Sequence, residues 1–296
     1  MFLVIWFLAI TAAAAAAAAG AAAFPQHHHT TKFPVHELYK MTTDFWDAFM
    51  YPNNCLQAKS INSTLLAEDV QGRIDITRTF VGQELNTEYL FGLFCNAVGS
   101  EFSIVGIPTS YTVEEFVGSG NLVSVTVTVS MNYPALAWIS PVQITTFITF
   151  DQRGRISQYD AVFKWLDWQF ATLLQKAQAL AGNSSVVELV ENLLIQEICS
   201  VASQYCIGDL QQYSSTSDCS TFLSSIRLGE VWELGMNTLT CRVVHRNMVP
   251  YRPDVHCAHI GKSGGGYCTD DRLYDKYVSQ PFFTMSSLIR NSSHHG

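Results

Sequence analysis

The densest group of reactive side chains is CRVVHRNMVPYRPDVHCAHIGKSGGGYC, residues 241–268. It holds His245, His256 and His259 among three cysteines, with Met248 one turn beyond His245. Imidazole nitrogens suit Zn or Cu. Cys241 and His245 stand four apart and His256 and His259 three apart, spacings that place each pair on one face of a helix. The three histidines are therefore candidate metal ligands, with Zn or Cu as the cofactor they would hold. The plainer expectation is that no cofactor is bound. The spacing matches no CxxC and HxxxH zinc pattern, and cysteines in an oxidising compartment pair with one another. Gly264-Gly265-Gly266 follows Lys262-Ser263, whereas a phosphate-cradling loop has its glycines first, so this run is expected to be a turn.

Whether those cysteines are paired depends on the compartment. Residues 1–23 carry no charge and are apolar except Thr11 and Gly20, ending in Ala21-Ala22-Ala23 before Phe24-Pro25. This is the pattern of a secretory signal peptide with a small-x-small cleavage site. Sequons at Asn62, Asn183 and Asn291 make these three asparagines candidate glycosylation sites. The cysteine count is even, eight, so Cys55, Cys95, Cys199, Cys206, Cys219, Cys241, Cys257 and Cys268 are all expected in disulfides. Six late cysteines allow 15 pairings, and spacing does not choose among them. The expected location is extracellular, with no membrane contact after cleavage, because no other apolar run approaches 18 residues.

The elements that must position these groups fall into two parts. An amphipathic helix is expected over 35–50, a second to about 67, a strand over 73–80 and a third helix over 85–97. From residue 101 the hydrophobic period changes to two, with strands expected over 102–107, 113–117, 123–133, 142–150 and 155–163. SVTVTVSMNY sets valines on one face and hydroxyls on the other, and Asp151-Gln152-Arg153-Gly154 is a turn signal. Helices followed by an antiparallel meander make an α+β plan. Beyond residue 168, helices are expected over 170–180, 186–206, 219–227 and 231–249, with an irregular tail from 252. The domain reading is a signal peptide 1–23, a leader 24–34, an α+β domain 35–168, a helical Cys-rich extension 169–283 and a disordered tail 284–296.

INSTLLAEDVQGRIDITRTFVG, which leaves the second helix, and FDQRGRISQYDAVFKW, which forms a closing hairpin, resemble the corresponding passages of the NTF2-like, or SnoaL-like, family. The front half thus looks like that family's cone of helices on a curved antiparallel sheet. The Cys/His-rich segment is similar to the C-terminal extensions of secreted fungal proteins with such a front half. In ketosteroid isomerase, a member of this fold, a carboxylate after the second helix is a general base. Asp75 falls near that place, with one residue more after Asp69 and with Ile76 where that enzyme has proline. The resemblance implies Asp75 as a catalytic base with Tyr159 and Asp160 beside it, and Tyr39 and Asp44 as further donors. Read from the strand alone, Asp75 shares a face with Arg73 and would pair with it or with Arg78. The aromatic residues Phe91, Phe94, Phe102, Phe116, Trp138, Phe163, Trp165 and Trp168 are expected mostly in the core.

The charge balance narrows the partners. Lys+Arg number 17 against 25 Asp+Glu, a formal net charge of -8, and no basic cluster is present to meet phosphates, so nucleic acid is not an expected partner. The charged fraction of 14% is too low for a disordered, highly solvated chain. The leading expectation is a secreted module that binds a small apolar ligand or an extracellular protein. A cofactor-free lyase or isomerase built on Asp75, and a His-ligated Zn or Cu protein, are the alternatives.

Overall fold

The computed structural model describes residues 32–96, 99, 103–183 and 185–280. The expected signal peptide, most of the leader, Phe102, Asn291 and the tail from 284 lie outside the described residues. The chain is α+β in its front half and helical behind it. Helix α1, Val35–Phe49, turns Leu38, Thr42, Phe45, Trp46 and Phe49 inward at three- and four-residue spacing. The short α2, Asn53–Ser60, is tied by a Cys55–Cys95 disulfide to the segment after α3, Gln83–Leu90.

Two boundaries differ from expectation here. The second helix stops at Ser60, and strand β1 already begins at Leu66, running to Ile74. The expected strand over 73–80 is instead the end of β1, a turn and the short β2, Thr79–Val81. Alternation decides it: Val70, Gly72 and Ile74 are buried while Gln71 is exposed, and Thr77 N–H closes the turn on Ile74 O.

The sheet is completed by β3, Ile107–Ser119, β4, Leu122–Tyr133, β5, Trp138–Phe150, and β6, Ile156–Lys164. Its order is β2-β1-β6-β5-β4-β3, antiparallel throughout except where β1 lies parallel to β6. Register shifts within β3 and between Thr149 and Phe150 mark the bulges that bend such a sheet. Val123, Val125, Val127 and Val129 of β4 are fully buried. At the β5–β6 turn, Asp151 Oδ1 accepts the backbone N–H groups of Arg153 and Arg155, while Gly154 supplies the positive φ of 75°.

The extension consists of α4, Leu166–Ala181, α5, Val186–Tyr205, α6, Thr216–Leu223, α7, Leu239–His245, α8, Pro253–Ile260, and α9, Tyr274–Val278. The single helix expected over 231–249 is broken. A one-turn 3-10 helix at Val231–Glu233 precedes Thr238, whose hydroxyl caps α7 by accepting Cys241 N–H. The tail expected to be irregular from 252 holds α8. Pro253 sits at its first turn, where proline is pre-organised for a helix.

The cysteines pair as Cys55–Cys95, Cys199–Cys219, Cys206–Cys257 and Cys241–Cys268. The first lies in the front half and the other three lie within the extension. The two halves nevertheless share one continuous apolar core, in which Val127 and Phe91 belong with Leu194, Ile198 and Val244. Among the expected core aromatics, Phe91 is buried, but Trp165 and Trp168 are 68% and 74% exposed. Trp165 takes φ 55° where β6 gives way to α4, and Trp168 lies on an exposed position of α4's first turn. No described helix is long and apolar enough to cross a membrane.

Candidate functional site

The three late histidines converge. His245 ends α7, and His256 and His259 stand one turn apart on α8, packed against it. All three meet Glu88 of α3, which lies 157 residues before His245. Glu88 Oε1 lies 2.9 Å from His245 Nδ1, 3.1 Å from His256 Nδ1 and 3.8 Å from His259 Nδ1. His256 Nδ1 and His259 Nδ1 are 3.2 Å apart. One ligand atom from each of the four residues lies within 4.8 Å of the other three, and all four residues are buried.

The electrostatics follow from that burial. Desolvation alone would push the Glu88 carboxyl up, yet hydrogen bonds from His245, His256 and His259 together hold it well below the usual carboxylate range. Burial drives the His245 imidazole down to about 4, opposed in part by Glu88. Glu88 is thus an anion and His245 a neutral ring. A neutral ring donates from one nitrogen only.

Neighbouring groups close the cluster. Tyr89 Oη lies 3.0 Å from His245 Nε2, and burial together with the Glu88 charge pushes this phenol well above its ordinary value. The Tyr267 ring lies 4.5 Å from that of His259. The glycine turn lets the chain pass over the rings: at Gly265, φ is 58° and a Cβ would stand 2.5 Å from His259 Cδ2. Cys241 and Cys268 lie beside His245 but are bonded to each other, so neither offers a thiolate. Met248 packs instead beneath Gly92, where a Cβ would lie 1.9 Å from its sulfur.

Tyr89 also faces an apolar cleft between the sheet and the extension. It leaves about 60 Å³ open to a water-sized sphere, bounded by Ile74, Tyr89, Met131, Phe163, Phe170 and Val244 among others. The ring of Tyr89 stacks on Phe80 at 3.5 Å between centroids. Gln169 donates to Tyr133 Oη at 2.7 Å on the cleft's far side.

None of the front-half candidates lines this cleft, although Asp75 and Asp160 lie close enough for each charge to be felt by the other. Asp75 sits in the turn after β1 and is not among the residues lining the cleft, although Ile74, Ile76 and Thr77 are. Its Oδ1 accepts Phe163 N–H at 3.3 Å, and burial raises its carboxyl to about 6. Asp160 points to the opposite face of β6 from Tyr159 and is held by a two-pronged bond from Arg73. Arg73 is therefore taken by Asp160, and Arg78 by Asp271, rather than by Asp75. Tyr159 is fully buried, packed against Gly72 and facing a second, smaller apolar cavity, where desolvation raises its phenol. Tyr39 packs edge-on to Phe116, and Asp44 pairs with Lys40 on the surface of α1. Sequence reading missed Glu88 and Tyr89. The available signal was a carboxylate set directly before the apolar run Tyr89, Leu90 and Phe91 at the end of α3.

The comparisons with known proteins divide the chain as the architecture does. Residues 43–161 match the model of the BfoA N-terminal domain, and residues 165–271 match that of the BfoA family C-terminal domain. The "Aurasperone B biosynthesis cluster protein A" of Aspergillus niger is 46% identical over 87% of this chain and 85% of its own length. The chain belongs to the BfoA family. A BfoA-family relative of Aspergillus brasiliensis, "Bifonsecin B biosynthesis cluster protein A", is 45% identical over 87% of each chain. Solved structures similar to the BfoA front half include a protein assigned as a SnoaL-like polyketide cyclase from Jannaschia sp. CCS1, at 13% identity and TM-score 0.36, covering 47% of this chain and 94% of that one. An LEH-like epoxide hydrolase of M. tuberculosis is similar at 16% identity and TM-score 0.36, covering 51% and 98%.

Proposed function

We propose that this protein is an exported, NTF2-like member of its family that holds a small, flat, apolar ligand in the cleft between sheet and extension, in the service of a biosynthetic pathway. The cleft lining carries this reading. Its walls are aliphatic and aromatic, and the few polar atoms near them, such as Tyr133 Oη, are positioned by neighbours. A site of that kind binds by burying apolar area and orients the ligand with one or two hydrogen bonds. The names of the relatives support the pathway setting. Export is supported by residues 1–23, by exposed sequon asparagines at Asn62 and Asn183, and by eight paired cysteines. Binding is favoured over an Asp75-based isomerase because Asp75 does not line the cleft.

The test is titration with a fluorescent anilinonaphthalene probe and its displacement by hydroxynaphthalenes. Val244→Phe fills the cleft from α7 and should abolish probe binding while far-UV circular dichroism shows the variant folded, its stability lowered by no more than the overpacking of a buried site costs, about 1–3 kcal/mol. Equal affinity in Val244→Phe would place the probe elsewhere and defeat the assignment.

A further inference from the structure

We infer that Glu88, His245, His256 and His259 form a buried site for one divalent transition-metal ion, Zn2+ by its geometry, which clamps the extension onto α3. The inference is independent of the ligand proposed for the cleft. Three imidazoles and one carboxylate make a donor set that suits such ions. At metal–ligand distances near 2.0–2.1 Å, a tetrahedral site has ligand–ligand edges of about 3.3–3.4 Å. Four of the six edges, at 2.9, 3.1, 3.2 and 3.8 Å, bracket that value, and the two between His245 and the other histidines lie within 4.8 Å.

A bound ion would let the Nδ1 atoms that crowd Glu88 and one another turn their lone pairs to a common centre. Coordination through Nδ1 of His245 leaves its Nε2–H to donate to Tyr89 Oη, the outer contact that commonly orients a ligating histidine. A dication also neutralises the buried Glu88 carboxylate. The site is closed by Tyr267 and the glycine turn, so with four protein ligands it has the form of a structural rather than an open catalytic centre.

The site occupies the joint between the two halves. Glu88 comes from the front half and the histidines from the extension, while every disulfide lies within one half or the other. The test is elemental analysis of full-length, untagged protein secreted by a eukaryotic host. About one equivalent of zinc is expected. The Glu88→Gln and His256→Asn/His259→Asn variants should fall below a tenth of an equivalent. Stripping the wild type with chelator should lower its melting temperature by about 10 °C, reversed by added Zn2+. Should the variants fail to fold, Co2+ loaded into stripped wild-type protein still reads the site, through the intense visible bands of a tetrahedral N/O centre. Wild-type protein with less than a tenth of an equivalent and no response to added Zn2+ would overturn the inference, as would a full equivalent retained by the histidine variant. One equivalent of copper would overturn the identity of the ion.

Discussion

Tyr89 Oη and His245 Nε2 stand 3.0 Å apart across a separation of 156 residues, and this contact joins the buried polar cluster to the apolar cleft. The same tyrosine ring lines the cleft and stacks on Phe80. A ligand seated in the cleft would therefore touch a residue whose hydroxyl is held by the cluster. The two sites share a wall.

Tyr89→Phe separates the hydroxyl from the ring. The stack on Phe80 survives, while His245 Nε2, fully buried, loses its partner. Leaving a buried polar group unsatisfied costs about 1–3 kcal/mol. Chemical denaturation should show a loss in that range, with the zinc content of the protein unchanged. A variant as stable as wild type would mean that His245 Nε2 finds another partner.

Asp75→Asn should remove a pH dependence. Burial raises the Asp75 carboxyl from 3.8 to about 6. The folded state thus holds a proton that the unfolded chain has released. Its contribution is fully present below pH 4 and is lost as pH rises through about 6. Two pK units at 1.36 kcal/mol each set a ceiling on the order of 3 kcal/mol. Urea midpoints measured from pH 4 to 7 should fall more steeply for wild type than for Asp75→Asn. Parallel curves would show that Asp75 is not protonated in the folded protein near pH 5.

Gly265→Ala and Gly266→Ala distinguish backbone strain from crowding. Both glycines have positive φ, 58° and 79°. At Gly266 an added Cβ meets nothing within 4 Å, so the cost is the left-handed backbone alone, about 1–2 kcal/mol. At Gly265 it also strikes the His259 ring and the Ala258–His259 backbone. The Gly265 variant should be the less stable of the two by thermal melting and should lose zinc, while Gly266→Ala keeps it. Equal losses would remove the steric role assigned to Gly265.

Local patterns carried much of the architecture. Alternating valines announced β4, three- and four-residue spacing announced α1, and Asp151 to Gly154 announced the closing turn. Boundaries failed where the pattern is short: LAEDVQGRI alternates only over its second half, and its first half reads as helix. Trp165 and Trp168 show that aromatic content does not settle burial, since both stand exposed at the junction of β6 and α4. The histidines could be singled out because they lie within 15 residues of one another. Glu88 could not, because its partners are 157 or more positions away and only the packing of α7 and α8 on α3 brings them together. Disulfide pairing was equally a matter of tertiary contact. Cys199 lies on α5 and Cys206 just past its end, yet they bond to Cys219 and Cys257.

The distribution of those disulfides bears on how the chain matures. Each half can oxidise as a closed set, one bridge in front and three behind, with no exchange of partners across the boundary. A single cut between β6 and α4 would therefore release no cross-linked product. The fragments would stay associated only through the shared core, side-chain contacts such as Arg78 to Asp271, and the Glu88–histidine joint. Such a protein could be made as two polypeptides, mixed in a test tube, and scored for reassembly.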